Sequence, residues 1–196
     1  MDWLPLTLLS VAAFATTNLD DAFVLLLFFG DRRYRARHVF IGQALGVGLL
    51  VLLSLIGALA ALALPARAIG LLGLLPIAIG VKHLLERRRG QPDEPEAAAP
   101  PGAAGWRQAA AVAGITVANG GDNLGVYVPL FATRSLLETA LILGGFAVML
   151  VMWTFAGYYL ARHSAVAARL QRLSGVVMPW VLIGLGAAII VDSILQ

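Results

Sequence analysis

Cysteine is absent from the chain, which excludes disulfides, thiolate metal ligands and dithiol electron transfer. Charge is scarce: Asp, Glu, Lys and Arg make up 13% of the 196 residues, about half the share usual in a soluble domain. No glycine-rich phosphate loop with its lysine is present, which argues against nucleotide-driven chemistry. Histidine is confined to His38, His83 and His163, near the ends of apolar stretches, where a solvated interfacial role fits better than a ligand-entry site. What fills the chain instead is apolar. Hydrophobic residues reach 60%, in continuous runs rather than the stripes of soluble helices. Such a composition is that of an integral membrane protein with little room for a soluble domain.

Six apolar stretches are predicted to cross the bilayer, at about 3–29, 39–64, 68–85, 108–132, 137–161 and 173–195. Each reaches the ~20 residues a crossing needs, or nearly so for the third. Strands of a membrane barrel would alternate in hydrophobicity over about ten residues; these do not, so the expected fold class is an all-α membrane protein. The N-terminal stretch imitates a secretory signal through Ala13-Phe14-Ala15, but no basic residue precedes it and the apolar run resumes at Ala22. It reads as an uncleaved first membrane helix. Basic residues set the orientation. Arg32, Arg33, Arg35, Arg37, Lys82, Arg87, Arg88, Arg89, Arg107, Arg162, Arg169 and Arg172 fall on one side, against Arg67 and Arg134 on the other. Both termini are therefore expected outside. The net charge of +3 is explained by this bias, and no nucleic-acid partner is expected.

The one long connection, 86–107, begins basic, turns acidic at Asp93, Glu94 and Glu96, and ends rich in Ala, Pro and Gly. It reads as a flexible cytoplasmic linker between a first unit, 1–85, and a second, 108–196. The units correspond: Asp20-Asp21 matches Asp122-Asn123, Phe29 matches Phe131, and Pro76 with Gly80 parallels Pro179 with Gly184. Three crossings per unit is an odd number, so the second unit is expected upside down relative to the first. Inverted repeats with helices broken at corresponding places are a recurring transporter design, the site lying at the repeat interface.

The breaks are predicted within two polar cassettes, Thr16-Thr17-Asn18-Leu19-Asp20-Asp21 and Thr116-Val117-Ala118-Asn119-Gly120-Gly121-Asp122-Asn123. Asp20 lies roughly 13 Å from the cytoplasmic end of its stretch at 1.5 Å per residue, and Asp122 is likewise near mid-membrane. Three unpaired carboxylates at that depth cost on the order of 8–10 kcal/mol on insertion scales. Such residues mark ion or proton handling. Asn18 and Asn119 are placed to cap the helices that follow, with Asp21 and Asp122 three residues on. The candidate ligands are all oxygens: Asp20, Asp21, Asp122, Asn18, Asn119, Asn123, Thr17 and Thr116, with Thr16 beside them. Three negative charges suit a divalent ion with one carboxylate left to titrate. Softness alone favours Mn, Ca or Mg, because Cd would prefer thiolates. Gln43, Ser54 and Thr154 are candidates to line a path or to bond between helices. Gly42/Gly46 and Gly70/Gly73 suggest close helix contacts. Trp3, Trp106 and Trp180 fit interfacial anchoring.

The strings Thr17-Asn18-Leu19-Asp20-Asp21, Gly42-Gln43, Leu71-Leu72-Gly73-Leu74-Leu75-Pro76 and Asn119-Gly120-Gly121-Asp122-Asn123-Leu124-Gly125-Val126-Tyr127-Val128-Pro129-Leu130-Phe131 resemble the cadmium-resistance transporter (CadD) family of the LysE superfamily. The resemblance covers nearly the whole chain outside 86–107. It implies efflux of cadmium or a similar divalent cation, zinc or manganese included, across the cytoplasmic membrane. The superfamily also holds amino-acid and manganese exporters. On the residues themselves, Asp20, Asp21 and Asp122 would bind metal when ionised and take up protons when it leaves, which favours proton antiport. Close carboxylates repel, so at least one is expected to act as the coupling group. No resident cofactor and no enzyme activity is expected. An amino-acid or organic-cation exporter would need an intramembrane Arg or Lys for the substrate carboxylate. An intramembrane aspartyl protease would pair Asp122 with Asp20 or Asp21 but has no use for the repeated Thr/Asn pattern.

Overall fold

The computed structural model describes residues 3–31, 34–63, 71–72, 74–89, 105–161, 176 and 179–191. Among them every regular element is helical: α1 (Trp3–Thr17), α2 (Leu19–Gly30), α3 (Ala36–Ala61), α4 (Leu74–Arg88), α5 (Trp106–Asn119), α6 (Gly121–Ala132), α7 (Leu136–Leu160) and α8 (Pro179–Val191). Most of the 86–107 segment, the charges Arg32, Arg33, Arg67, Arg162, Arg169 and Arg172, the Gly70/Gly73 pair and the Asp20 side chain lie outside the described residues.

Two helices, α3 and α7, are each long and apolar enough to cross a membrane unaided. α7 starts at a reciprocal cap. The Glu138 amide donates to Ser135 Oγ at 3.3 Å and the Ser135 amide donates to Glu138 Oε2 at 2.9 Å, satisfying two otherwise free donors. The stretches expected to break do break. α1 gives way to α2 at Asn18 (φ −110°, ψ 13°), and α5 to α6 at Gly120 (φ −78°, ψ 22°). Asp20 and Asp122 are thus each the second residue of the helix that follows.

Both breaks are shallower than a full unwinding. The Asn18 amide still donates to Phe14 O at 3.1 Å and its carbonyl still accepts from Ala22 N at 3.2 Å. At Gly120 the bonding tightens by one residue, its amide reaching Val117 O at 3.2 Å. The expected caps are not made. Neither Asn18 nor Gly120 caps its following helix through a side chain, and Asn119 is the last residue of α5, not the cap of α6. Asn18 caps backwards instead: its Nδ2 donates to Phe14 O at 2.9 Å, closing the end of α1.

The packing is reciprocal. α3 lies along α5 and α6, while α7 lies along α1 and α2, so each long helix rests on a broken pair from the other end of the chain. Gly42 and Gly46 allow the first of these contacts. A Cβ on Gly46 would sit 2.6 Å from Thr116 Cβ, and one on Gly42 2.6 Å from Ala109 O. α4 meets α6 and approaches α8 through Gly80, where a Cβ would sit 2.6 Å from Pro179 O. Lipid tails are as apolar as leucine, so close packing and hydrogen bonds hold such helices together, with little help from hydrophobic burial. The distribution of side chains fits that solvent. Leu45, Leu52, Ile56, Leu59, Val148, Val151 and Met152 point outward, while Thr17, Asn18, Asp21, Gln43, Thr116 and Asn123 are buried.

Candidate functional site

Two hydrogen-bonded chains cross the middle of the bundle. The first runs through Gln43, which the glycines of α3 bring against α5. Its Nε2 donates to Asp21 Oδ2 at 2.9 Å, and its Oε1 accepts from Thr116 Oγ1 at 2.8 Å. One amide thus links α2, α3 and α5, with all three side chains almost wholly buried. An acceptor is needed opposite Nε2, and the Asp21 carboxyl supplies it.

The second chain converges on Asn18, which is 0% exposed. Tyr127, also fully buried on α6, stands with its hydroxyl 2.9 Å from Thr17 Oγ1 and accepts from Asn18 Nδ2 at 3.0 Å. Thr17 Oγ1 in turn lies 3.0 Å from Ala13 O, so the protons order simply. Tyr127 donates to Thr17, Thr17 donates to the Ala13 carbonyl, and Asn18 Nδ2 donates to Phe14 O on one side and to the Tyr127 hydroxyl on the other, with Thr17 Oγ1 a longer contact at 3.2 Å. From α7, Trp153 Nε1 donates to the Asn18 carbonyl at 2.8 Å. The Tyr127 ring packs on Phe146 with centroids 4.7 Å apart, and Phe146 on Phe14 at 5.4 Å. An apolar layer therefore adjoins the polar one.

Asp122 is 9% exposed in the first turn of α6, where the free amides of a helix start favour negative charge. Its Oδ1 accepts from Asn123 N at 2.8 Å. Tyr127 of α6 is thus tied to Thr17 and Asn18 of the first cassette. Three amide oxygens in the same cassettes, Oδ1 of Asn18, Asn119 and Asn123, are buried with no hydrogen-bond partner among the described residues. An unpaired buried acceptor costs about 1–3 kcal/mol, and these three amide oxygens fall within two short segments of the described residues. Thr16 is buried too. Asp20 belongs to α2 by its backbone, and its side chain lies outside the described residues. Among the described residues no three His, Asp or Glu side chains group together; the cluster consists of carboxylates, amides and hydroxyls.

Sequence reasoning passed over Tyr127 and Trp153, the two residues that grip Asn18. A phenol and an indole in an apolar run read as packing, and only a third dimension pairs Tyr127 with a residue 109 positions away. Gln43 was visible as a lone polar residue in a membrane stretch. His38 departs from the solvated reading: it is buried, with Nδ1 2.9 Å from Gln108 Oε1, an oxygen that also accepts from the Arg35 amide at 3.2 Å. Ser54 and Thr154 make no inter-helix bond with their hydroxyls here: each donates to a carbonyl one turn back in its own helix. Trp106 and Trp180 are largely exposed, as anchors would be.

Outward leucines, two helices long and apolar enough to cross a bilayer, and polar residues buried where other helices are interrupted are the features of a helical membrane protein. The family follows: a model of the cadmium resistance transporter family matches residues 14–195, and the chain belongs to that family. It is a transporter family, whose substrate is a metal ion. No curated protein and no solved structure matches the chain.

Proposed function

We propose that this protein exports a divalent metal cation, cadmium or an ion like it, across the cytoplasmic membrane by secondary-active exchange for protons. The observation that carries the reading is the set of buried amide oxygens with no hydrogen-bond partner among the described residues, at Asn18, Asn119 and Asn123, in the same two cassettes as Asp21 and Asp122. Oxygens turned inward with no donor to meet suit a cation. Asp20, Asp21 and Asp122 supply the charge, and Asn18, Asn119, Asn123, Thr17 and Thr116 the neutral ligands. Two such carboxylates neutralise a divalent ion, and the third is free to exchange a proton with it.

In this reading residues 1–85 and 108–196 are inverted three-crossing units. α1 with α2 forms the first crossing and α5 with α6 the fourth. The reciprocal packing of α3 on α5 and α6, and of α7 on α1 and α2, supports that arrangement, as does the matching position of Asp20 and Asp122 after each break. Both termini face outward and the basic loops face the cytoplasm. The test is Asp122→Asn, assayed by metal resistance in cells and by metal uptake into inverted vesicles. Both are expected to be lost, and full retention of both would sink the proposal. A thermal-shift panel of Cd, Zn, Mn, Ca and Mg on the purified protein ranks the ions.

A further inference from the structure

Asn18 is bonded at every polar atom except one. Its amide donates to Phe14 O, and its carbonyl accepts from Ala22 N and Trp153 Nε1. Its Nδ2 serves Phe14 O at 2.9 Å and the Tyr127 hydroxyl at 3.0 Å, with Thr17 Oγ1 farther off at 3.2 Å. The orientation of the side-chain amide is settled by chemistry: Phe14 O can only accept, so the NH2 group must face it. Oδ1 is consequently turned away, buried and without a partner among the described residues. Rotating the amide to pair that oxygen would break two bonds and set two carbonyl oxygens against each other.

We propose that Tyr127 is a positioning residue for the transported cation, holding the Asn18 amide so that Oδ1 is presented as a ligand. The inference rests on the export reading and adds to it a determinant of affinity that is not itself a ligand. The phenol suits the task. Its own proton is directed to Thr17, so the hydroxyl oxygen is left free to accept from Nδ2. The ring is fixed against Phe146 and Phe131, so the hydroxyl is held without freedom to follow a rotating amide. Tyr127 lies on α6 and Asn18 at the end of α1, so the ligand geometry at one break depends on the helix that follows the other. Any relative movement of those helices changes how firmly Oδ1 is held.

Calorimetric titration of the purified full chain with Cd²⁺ tests this, using Tyr127→Phe, Asn18→Ala and the double variant, with transport kinetics in vesicles alongside. Tyr127→Phe keeps the ring contacts and is expected to weaken binding about ten-fold, the usual effect of losing a group that orients a metal ligand. KM is expected to rise more than the maximal rate falls, and metal-free melting to stay close to that of the parent. Because the phenol acts through Asn18, the double variant is expected to bind no more weakly than Asn18→Ala alone. Phe146→Leu, which removes a ring that fixes the phenol and touches none of the proposed ligand positions by substitution, is expected to give a smaller loss with the same non-additivity. That variant decides the matter if Tyr127→Phe folds poorly. Unchanged affinity in Tyr127→Phe, or losses that multiply in the double variant, overturns the positioning role while leaving export intact. A parent protein that binds none of Cd²⁺, Zn²⁺ or Mn²⁺ overturns the export reading and this inference with it.

Discussion

Gln43 shows how much one amide can carry inside a membrane. With no water in the hydrocarbon core to bond an exposed polar group, a glutamine there must find both a donor and an acceptor. It does, in Thr116 and Asp21. Gln43→Leu keeps the bulk and removes both bonds, leaving Thr116 Oγ1 to find another acceptor and Asp21 with one donor fewer. We expect a loss of about 1–3 kcal/mol of stability and a clear fall in transport, read by melting in detergent and by vesicle uptake; a variant that transports like the parent would show the link to be dispensable. At this scale the sequence was legible wherever polarity stood out against leucine, as for Asp21, Asn18, Asp122 and Gln43. It was illegible at Tyr127 and Trp153, whose roles depend on which way a ring faces. The same limit applies to Asn18. An asparagine at a helix junction can cap forwards or backwards, and only the nearness of the Phe14 carbonyl decides it.

Helices here meet through notches as well as through bulk. Gly46 lets α3 settle onto α5 so closely that a methyl group would crowd Thr116 Cβ at 2.6 Å and Ala113 O at 3.1 Å. Gly48, on the same helix, has open space around its Cα. The two form a natural control. Gly46→Ala is expected to lower stability by about 1–3 kcal/mol through overpacking and to loosen the Thr116–Gln43 bond. Gly48→Ala is expected to be neutral or slightly stabilising, since alanine is the better helix former by about 1 kcal/mol. Equal melting shifts for the two would mean that the α3–α5 contact is not close-packed. The Gly42/Gly46 spacing was readable in advance because two small residues four apart share a helix face. The position of the second break was readable only to within a residue. Asparagine and glycine both interrupt helices, and the structure sets the break at Gly120, where Leu50 of α3 packs against the site a side chain would occupy.

At the scale of the whole molecule, the missing cysteines become an experimental advantage. Any cysteine introduced is the only thiol, so orientation can be read directly with a membrane-impermeant maleimide. Ala63, just after α3, and Arg89, just after α4, are both exposed and fall on opposite sides in the proposed topology. The basic residues following α4 belong with the cytoplasmic loops, and the short connection after α3 carries Arg67 as its lone charge. We expect Ala63→Cys to label in intact cells and Arg89→Cys only after the membrane is permeabilised. The reverse pattern would turn the protein over in the bilayer and overturn the proposed placement of its termini and basic loops. Labelling of both from outside would remove the crossing at α4, and with it the odd number of crossings that makes the second unit run upside down. The inverted arrangement is thus the most exposed part of the reading, because it depends on one short helix, α4, whose 15 residues stop short of the ~20 a crossing requires.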